Sequence, residues 1–228
     1  MKYQWVLFDA DETLFSFNSY LGLKAIFSRE NIDFSIEDYN AFQAVNQPLW
    51  VQYQNKEITA EELQRIRFEK LSQKTGKDPR VLNQELMEEM AVVSQPLEHV
   101  QTMLEALSHK VKMAIISNGF ESLQHKRLVN TNTLHFFDIV MTSERAGIAK
   151  PDPLIFEAVF DQMGKVDLNR VLMVGDTLSS DIQGGINVGI DTCWYNPEEK
   201  LNELNIKPTY EIRSMLELID IVDNKVKP

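Results

Sequence analysis

The segment Trp5-Val6-Leu7-Phe8-Asp9-Ala10-Asp11-Glu12-Thr13 gives the first indication of the fold. Its first four residues are apolar, of the aromatic and branched types that favour strands, and the apolar run stops abruptly at Asp9. A short, continuous apolar run with a polar boundary is typical of a parallel strand that is buried on both faces. We therefore expect residues 5–8 to form such a strand and to deliver Asp9 at its carboxyl end.

Similar apolar runs recur later in the chain, at residues 112–116, 138–141, 171–174 and 191–195. Between them, apolar residues recur at helical spacing, as they do after Pro96 and between Pro153 and Gly164. Strands that alternate with helices of this length indicate a parallel sheet covered by helices. The predicted fold class is therefore α/β, with a Rossmann-like, doubly wound parallel sheet.

The stretch from Phe17 to Ser94 differs, because it contains no convincing strand pattern. It predicts helices at 19–29 and 35–53, one that the capping box Thr59-Ala60-Glu61-Glu62 opens and Gly76 ends, and one that starts at Asp78-Pro79. A last helix is expected at 213–222. We therefore predict a core domain formed by residues 1–16 and 95–228, and an inserted α-helical cap domain formed by residues 17–94.

Bulk properties exclude some classes of function. The chain has 228 residues and a formal net charge of −11, which disfavours binding to a nucleic acid polymer. The single cysteine, Cys193, fits a reducing compartment. The apolar run before Asp9 is too short for a signal peptide, and no stretch has the length of a membrane span. We expect a cytoplasmic protein without a membrane segment.

Groups suited to phosphoryl transfer follow the predicted strands, where ligands bind in sheets of this kind. They are Asp9 and Asp11 after the first strand, Ser117 and Asp176 after later ones, and Lys150 and Asp181 in the following segments. A carboxylate that attacks a phosphate dianion needs positive charge between the two. A divalent cation held by Asp9 and Asp176, with Lys150, supplies that charge, while Asp11 is placed to act as general acid and base.

Taken singly, each of these residues also has an ordinary structural interpretation. Asp11 is explained as a turn former, Asp181 as the cap of a helix near Ile182, and Ser117-Asn118-Gly119 as a simple turn. Lys150 is explained as a surface lysine. The functional interpretation depends on the ordered set, in which every member suits the same reaction.

The set also matches a known family. The sequence resembles the haloacid dehalogenase (HAD) superfamily of phosphohydrolases in four motifs, Asp9-Ala10-Asp11-Glu12-Thr13, Ser117-Asn118-Gly119, Lys150-Pro151-Asp152-Pro153 and Gly175-Asp176-Thr177-Leu178-Ser179-Ser180-Asp181. The resemblance implies an aspartyl-phosphate on Asp9, acid/base catalysis by Asp11, and a phosphate site formed by Thr13, Ser117, Asn118 and Lys150. It implies Mg²⁺, with Mn²⁺ as a substitute, held by Asp9, the Asp11 carbonyl and Asp176, with Asp181 acting behind them or through water.

The resemblance also narrows the reaction. Dehalogenases of the superfamily lack an acid at the position of Asp11, so its presence favours phosphatases and phosphomutases. The insert resembles the helical C1-type cap. Over most of its length the chain also resembles bacterial 5′-nucleotidases that hydrolyse pyrimidine nucleoside monophosphates, in stretches that include residues 44–50, 117–124 and 181–189. The expected substrates are UMP, dUMP, dTMP and non-standard analogues. The protein is expected to be a monomer or a small homo-oligomer.

Candidates for contacting the base are Phe15, Asn46, Trp50 and Tyr53. Aromatic rings stack on bases, and an amide can hydrogen-bond a pyrimidine edge. The alternative is that the aromatic residues are packed between cap helices, and that Pro48 breaks the helix that carries Trp50 and Tyr53.

Two rival functions remain open. One is a phosphatase or phosphomutase that acts on a sugar phosphate or another small ester. The other is a phosphate-binding or signalling protein on the same core. A signalling receiver domain is shorter, however, and lacks an insert after its first strand.

Overall fold

Six parallel strands form a single sheet in the order β3-β2-β1-β4-β5-β6. The computed structural model describes residues 1–226. The strands are β1 Trp5–Phe8, β2 Lys112–Ser117, β3 Ile139–Thr142, β4 Val171–Gly175, β5 Asp191–Tyr195 and β6 Tyr210–Ile212. This is the doubly wound order 3-2-1-4-5-6, so the predicted fold class is confirmed.

The order places β1 in the middle of the sheet, between β2 and β4. Phe8 is in register with Val174, and the Asp9 amide donates to the Val174 carbonyl at 2.9 Å. In open parallel sheets, the crevice for ligands lies outside the carboxyl ends of the strands, where the strand order reverses. Here that point lies between β1 and β4.

The apolar run of β1 is continuous because both faces of the sheet are covered. Val6 and Phe8 face one apolar cluster, together with residues of helices α6 (Val100–Leu107) and α11 (Met215–Val222). Trp5 and Leu7 face the other, with residues of α9 (Pro153–Met163). Side chains alternate between the faces of a strand, so all four must be apolar.

The remaining helices of the core connect these layers. They are α7 Glu121–Asn130, α8 Ser143–Ala146 and α10 Gln183–Asn187, with short 3₁₀ turns at Leu134–Phe136 and Leu168–Arg170 and a π turn at Leu178–Ile182. Strand β6 was not predicted from the sequence. Its three residues are too few for a recognisable pattern, and their pairing with β5 specifies the strand.

The insert is helical, as the sequence predicts. It consists of α1 Ser19–Arg29, α2 Ile36–Gln54, α3 Ala60–Ile66, α4 Glu69–Thr75 and α5 Pro79–Val93. Two details differ from expectation. Pro48 lies inside α2 without ending it. The helix expected between Thr59 and Gly76 is divided at Arg67 and Phe68, whose side chains are buried, so tertiary burial outweighs local helix continuation.

The insert has its own apolar cluster, which extends to Phe120 and Leu123 of the core. The two segments that connect the insert to the core are hydrogen-bonded to each other, since the backbone N–H of Ser16 donates to the Gln95 carbonyl at 2.9 Å. The domain limits at 16/17 and 94/95 stay a prediction. No helix within residues 1–226 is both long enough and apolar enough to span a bilayer.

Candidate active site

The polar groups predicted from the motifs meet at the carboxyl edge of the sheet. Asp9 follows β1, Ser117 ends β2 and Asp176 follows β4. They line a cavity of about 270 Å³, which we call the phosphate cavity, together with other polar residues: Asp11, Glu12, Gln54, Asn118, Lys150, Thr177, Ser180 and Asp181. In the sequence these groups lie up to 172 positions apart (9 to 181), and the parallel topology brings them together.

Lys150 is the buried cation of this cavity. Its Nζ donates to Asp9 Oδ1 at 2.6 Å and to the Ile116 carbonyl at 2.6 Å, and lies 2.7 Å from Asp181 Oδ1. Its side chain is only 1% exposed, so it is not the surface lysine of the alternative interpretation. Burial opposes the charge on the ammonium, but Asp181 and Asp9 overcome this and raise the pKa of Lys150 above its ordinary value.

Negative charge nevertheless exceeds positive charge here. Burial and the neighbouring carboxylates of Asp181, Asp11 and Asp176 raise the pKa of Asp9, against the lowering effect of Lys150. Burial and the charge of Asp181 raise the pKa of Asp176 to about 6. Both shifts have the same physical cause, since carboxylates crowded in a poorly solvated site destabilise one another's charged form.

Three of these carboxylates form a donor set for a cation. Asp9, Asp176 and Asp181 each contribute one oxygen, and these oxygens lie within 4.8 Å of one another. Carboxylate oxygens are the ligands that hard divalent cations such as Mg²⁺ prefer. A divalent cation also offsets the excess negative charge, so the residues present fit such an ion.

Two predicted phosphate-binding residues have other contacts. The Thr13 hydroxyl accepts from the Asp176 amide at 3.0 Å and donates to Asp176 Oδ1 at 3.3 Å, and Thr13 is fully buried. The side-chain amide of Asn118 accepts a hydrogen bond from the backbone N–H of Lys150 at 2.7 Å and donates one to the backbone carbonyl of Lys150 at 2.9 Å. Thr13 therefore holds Asp176, and Asn118 holds the Lys150 loop; direct contacts of either residue to phosphate stay predictions.

A chain of hydrogen bonds connects Ser117 with Asp11. Gln124 Nε2 donates to Ser117 Oγ at 2.9 Å, and Arg127 Nη2 donates to Gln124 Oε1 at 2.6 Å. Arg127 Nη1 donates to Asp11 Oδ1 at 2.6 Å. Ser117 is used here as an acceptor, which leaves its hydroxyl proton for a ligand.

Gln124 and Arg127 were not predicted from the sequence as site residues. Both are completely buried on the polar helix α7, where the sequence suggests solvent exposure. The only sequence feature that could have indicated a shared role is their spacing of three residues, which places them on one helical face. Burial of that face became evident only from the packing of α7 beside the sheet.

A second cavity adjoins the phosphate cavity and shares Asp11 and Asn118 with it. We call it the leaving-group cavity. It measures about 250 Å³, and its wall is formed mainly by cap residues and by the loop after Ser117: Phe17, Ser19, Phe42, Gln43, Asn46, Gln47, Trp50, Arg67, Leu86, Met87, Met90, Gly119, Phe120 and Leu123. Its volume is slightly below that of typical ligand sites, roughly 300–1,000 Å³.

The four candidates for contacting a base do not all line the leaving-group cavity. Asn46 and Trp50 line the leaving-group cavity. Phe15 is fully buried in the core cluster, with its ring 4.6 Å from the Arg127 guanidinium carbon. Tyr53 packs against Trp50, with ring centroids 5.9 Å apart, and lines a different cavity. A role in substrate recognition stays a prediction for all four.

The carboxyl edge of the parallel sheet carries a strand-end aspartate paired with a buried lysine, and an acidic donor set. These features define a hydrolase of the HAD type. A family model described as haloacid dehalogenase-like hydrolase matches residues 3–189. The chain belongs to the haloacid dehalogenase-like hydrolase family.

Curated relatives match over nearly the whole chain. Pyrimidine 5′-nucleotidase YjjG of Escherichia coli is 44% identical over 96% of this chain and 97% of its own length. Pyrimidine 5′-nucleotidase PynA of Streptococcus pneumoniae is 33% identical over 99% of this chain and 98% of its own length. The expected enzyme class, a phosphoric monoester hydrolase, is confirmed.

A solved structure supports the same fold. The crystal structure of YfnB from Bacillus subtilis, bound to magnesium and described as revealing interdomain movement, matches with a TM-score of 0.85. It is 30% identical and covers 98% of this chain and 100% of that chain. The predicted HAD core is thereby confirmed.

Gly175 provides a test of how the site is packed. A Cβ at this position would lie 2.3 Å from Asp181 Oδ2 and 2.5 Å from Asp181 Cβ, so rotation of the Asp181 side chain cannot relieve the clash. We expect Gly175→Ala to displace Asp181 from Lys150 and to lower the free energy of unfolding by about 1–3 kcal/mol. Denaturant unfolding measures this change. An unchanged stability together with an unmoved Asp181 in a crystal structure would contradict the assigned packing.

Proposed function

We propose that the protein is a magnesium-dependent phosphomonoesterase that acts through an aspartyl-phosphate on Asp9 and hydrolyses pyrimidine nucleoside monophosphates to nucleoside and phosphate. The observation that carries the proposal is the pair of neighbouring cavities that share Asp11 and Asn118 in their walls. The phosphate cavity holds a buried acid–lysine pair, and the leaving-group cavity begins at Asp11, where an ester oxygen would leave. The two nucleotidase relatives support the choice of leaving group.

In the first step, an Asp9 carboxylate oxygen attacks phosphorus, and the bond from phosphorus to the ester oxygen breaks. Asp11 gives its proton to that oxygen, so the nucleoside leaves as a neutral alcohol. In the second step, water attacks the phosphorus of the aspartyl-phosphate, the bond from phosphorus to the Asp9 oxygen breaks, and Asp11 takes the proton from the water. Inorganic phosphate is released and both carboxyl groups regain their initial states.

Lys150 and Ser117 are proposed to bind the phosphoryl oxygens. Lys150 is a compact point charge that already touches the nucleophile, and Ser117 has a free hydroxyl donor. Asp9, Asp176 and the Asp11 carbonyl would hold Mg²⁺, with Asp181 behind them or acting through water. When bound, the cation neutralises the repulsion between phosphate and carboxylate.

Arg127 is proposed as a positioning residue for Asp11. Its guanidinium is fully buried, stacks on Phe15 and holds Asp11 Oδ1, whereas the Asp11 side chain remains 29% exposed toward the cavities. Without this contact, the exposed carboxyl group is free to adopt other rotamers. A cytoplasmic location, replacement of Mg²⁺ by Mn²⁺ and the oligomeric state stay predictions.

The main test is a panel of phosphate monoesters assayed for phosphate release with wild type and Asp9→Asn. We expect UMP, dUMP and dTMP to have a higher kcat/KM than hexose phosphates, and Asp9→Asn to lower kcat by about 10³-fold or more. Better hydrolysis of hexose phosphates would refute the nucleotide assignment. Interconversion of sugar phosphates without phosphate release would indicate a mutase, and wild-type activity in Asp9→Asn would refute the mechanism.

Metal dependence forms a separate prediction. A strong chelator should abolish hydrolysis and added Mg²⁺ should restore it, because the acidic cluster lacks enough positive charge. Asp176→Asn should raise the Mg²⁺ concentration for half-maximal activity by about 10-fold or more. Asp220→Asn, on the exposed part of α11, is the matched control. Full activity in the presence of the chelator would contradict the metal assignment.

The role of Arg127 is tested with three substrates, UMP, ribose 5-phosphate and p-nitrophenyl phosphate. The first two need a proton on the leaving oxygen, but p-nitrophenolate leaves without one. We expect Arg127→Met to lower kcat/KM for UMP and ribose 5-phosphate by about 10-fold or more relative to p-nitrophenyl phosphate. An equal decrease for all three substrates would instead indicate a purely structural role.

A further inference from the structure

The leaving-group cavity contains one charged group from the cap, Arg67. Arg67 lies at the end of α3 and is only 5% exposed. Much of the surrounding wall is apolar or aromatic, including Phe42, Leu86, Met90 and Phe120. A buried arginine in such a wall requires an explanation, because burial of an unpaired charge costs free energy.

The partners of the Arg67 guanidinium are neutral. Nε donates to Asn83 Oδ1 at 3.0 Å, Nη2 contacts the same oxygen, and Nη1 lies 3.5 Å from Asn46 Oδ1. A guanidinium carries five N–H donors, so these three contacts to two oxygens leave donors unused. Within residues 1–226, no carboxylate oxygen lies within 4.0 Å of Arg67.

The Arg67 side chain nevertheless has a defined position. Its guanidinium carbon lies 5.3 Å from the ring centroid of Phe68 and 5.1 Å from that of Phe120. Burial lowers the pKa of Arg67 to about 9, so the group keeps its charge at neutral pH. A positioned, charged donor with spare N–H groups therefore lines the same cavity as Asp11.

The chemistry of the wall limits what Arg67 can bind. Trp50 and Phe120 form an aromatic pair at the cavity, with ring centroids 5.3 Å apart, and flat aromatic surfaces favour a planar ring. A sugar polyol has no flat face to place against these rings, although polar side chains of the wall such as Asn46 and Gln47 can hydrogen-bond its hydroxyls. A planar heterocycle with a carbonyl oxygen satisfies both features, since it stacks and also accepts from arginine.

We propose that Arg67 is a specificity-determining residue that donates to a ring carbonyl oxygen of the base in the leaving group. This inference rests on the proposed nucleotidase function and deepens it. Uracil and thymine present ring carbonyl oxygens, whereas adenine has none. Arg67 thus selects substrates by the base, at a position separate from the phosphate chemistry.

The experiment compares kcat/KM of wild type, Arg67→Met, Arg67→Lys and Arg65→Met for UMP, AMP and ribose 5-phosphate. We expect Arg67→Met to lower kcat/KM for UMP by about 10- to 100-fold, the loss associated with one hydrogen bond to a charged group. Its kcat/KM for AMP and ribose 5-phosphate should fall by less than about 3-fold. Arg67→Lys should retain an intermediate preference for UMP, because it keeps the charge without the planar fork.

Arg65→Met is the matched control. Arg65 lies on α3 two residues before Arg67, is 42% exposed and pairs with Glu69 at the surface. Its removal should leave all three kcat/KM values unchanged. Thermal unfolding of each variant shows whether the fold is intact.

The outcomes separate the two proposals. If wild type does not prefer UMP to ribose 5-phosphate, the nucleotide assignment fails and the inference fails with it. If wild type prefers UMP and Arg67→Met keeps the same preference, the role of Arg67 alone is refuted. An equal loss on UMP and ribose 5-phosphate refutes it as well, because a structural defect would affect both substrates.

Discussion

The concentration of carboxylates around one buried lysine at the carboxyl edge of the sheet is the constraint on which the site depends. Asp9, Asp176 and Asp181 lie close enough to share a cation, and Lys150 alone does not offset their charge. Such a cluster is unfavourable in a poorly solvated position unless rigid elements hold it. The chain meets this need with hydrogen bonds, since Thr13 holds Asp176 and Asn118 holds the Lys150 loop.

The second organising feature is the division of the site between two parts of the chain. The strands and their loops supply the groups that act on phosphorus, and the insert supplies most of the wall beside the ester oxygen. Asp11 lines both cavities, and the buried Arg127 guanidinium donates a hydrogen bond to its carboxylate. The proposed chemistry and the proposed selection of the leaving group therefore meet at one carboxylate, the proposed proton donor to the ester oxygen.

Much of the fold was predictable because its strands are buried on both faces. Burial makes runs such as 5–8 and 171–174 continuously apolar, and the polar residues that follow mark the functional edge. Strand β6 escaped prediction because three residues at a sheet edge carry too little pattern. The break at Arg67 and Phe68 escaped prediction because local helix preference does not reveal which side chains will be buried.

The sequence alone reveals the apolar runs of the longer strands, the helical nature of the insert and the residues of the four motifs. These are local properties, fixed by side-chain type and by the period of the pattern. Which polar residues become buried and paired depends on tertiary packing. Gln124 and Arg127 resemble surface residues of a polar helix, and Arg67 resembles an ordinary cap residue, until packing encloses them. Their environment depends on segments distant in the chain, and no local pattern records it.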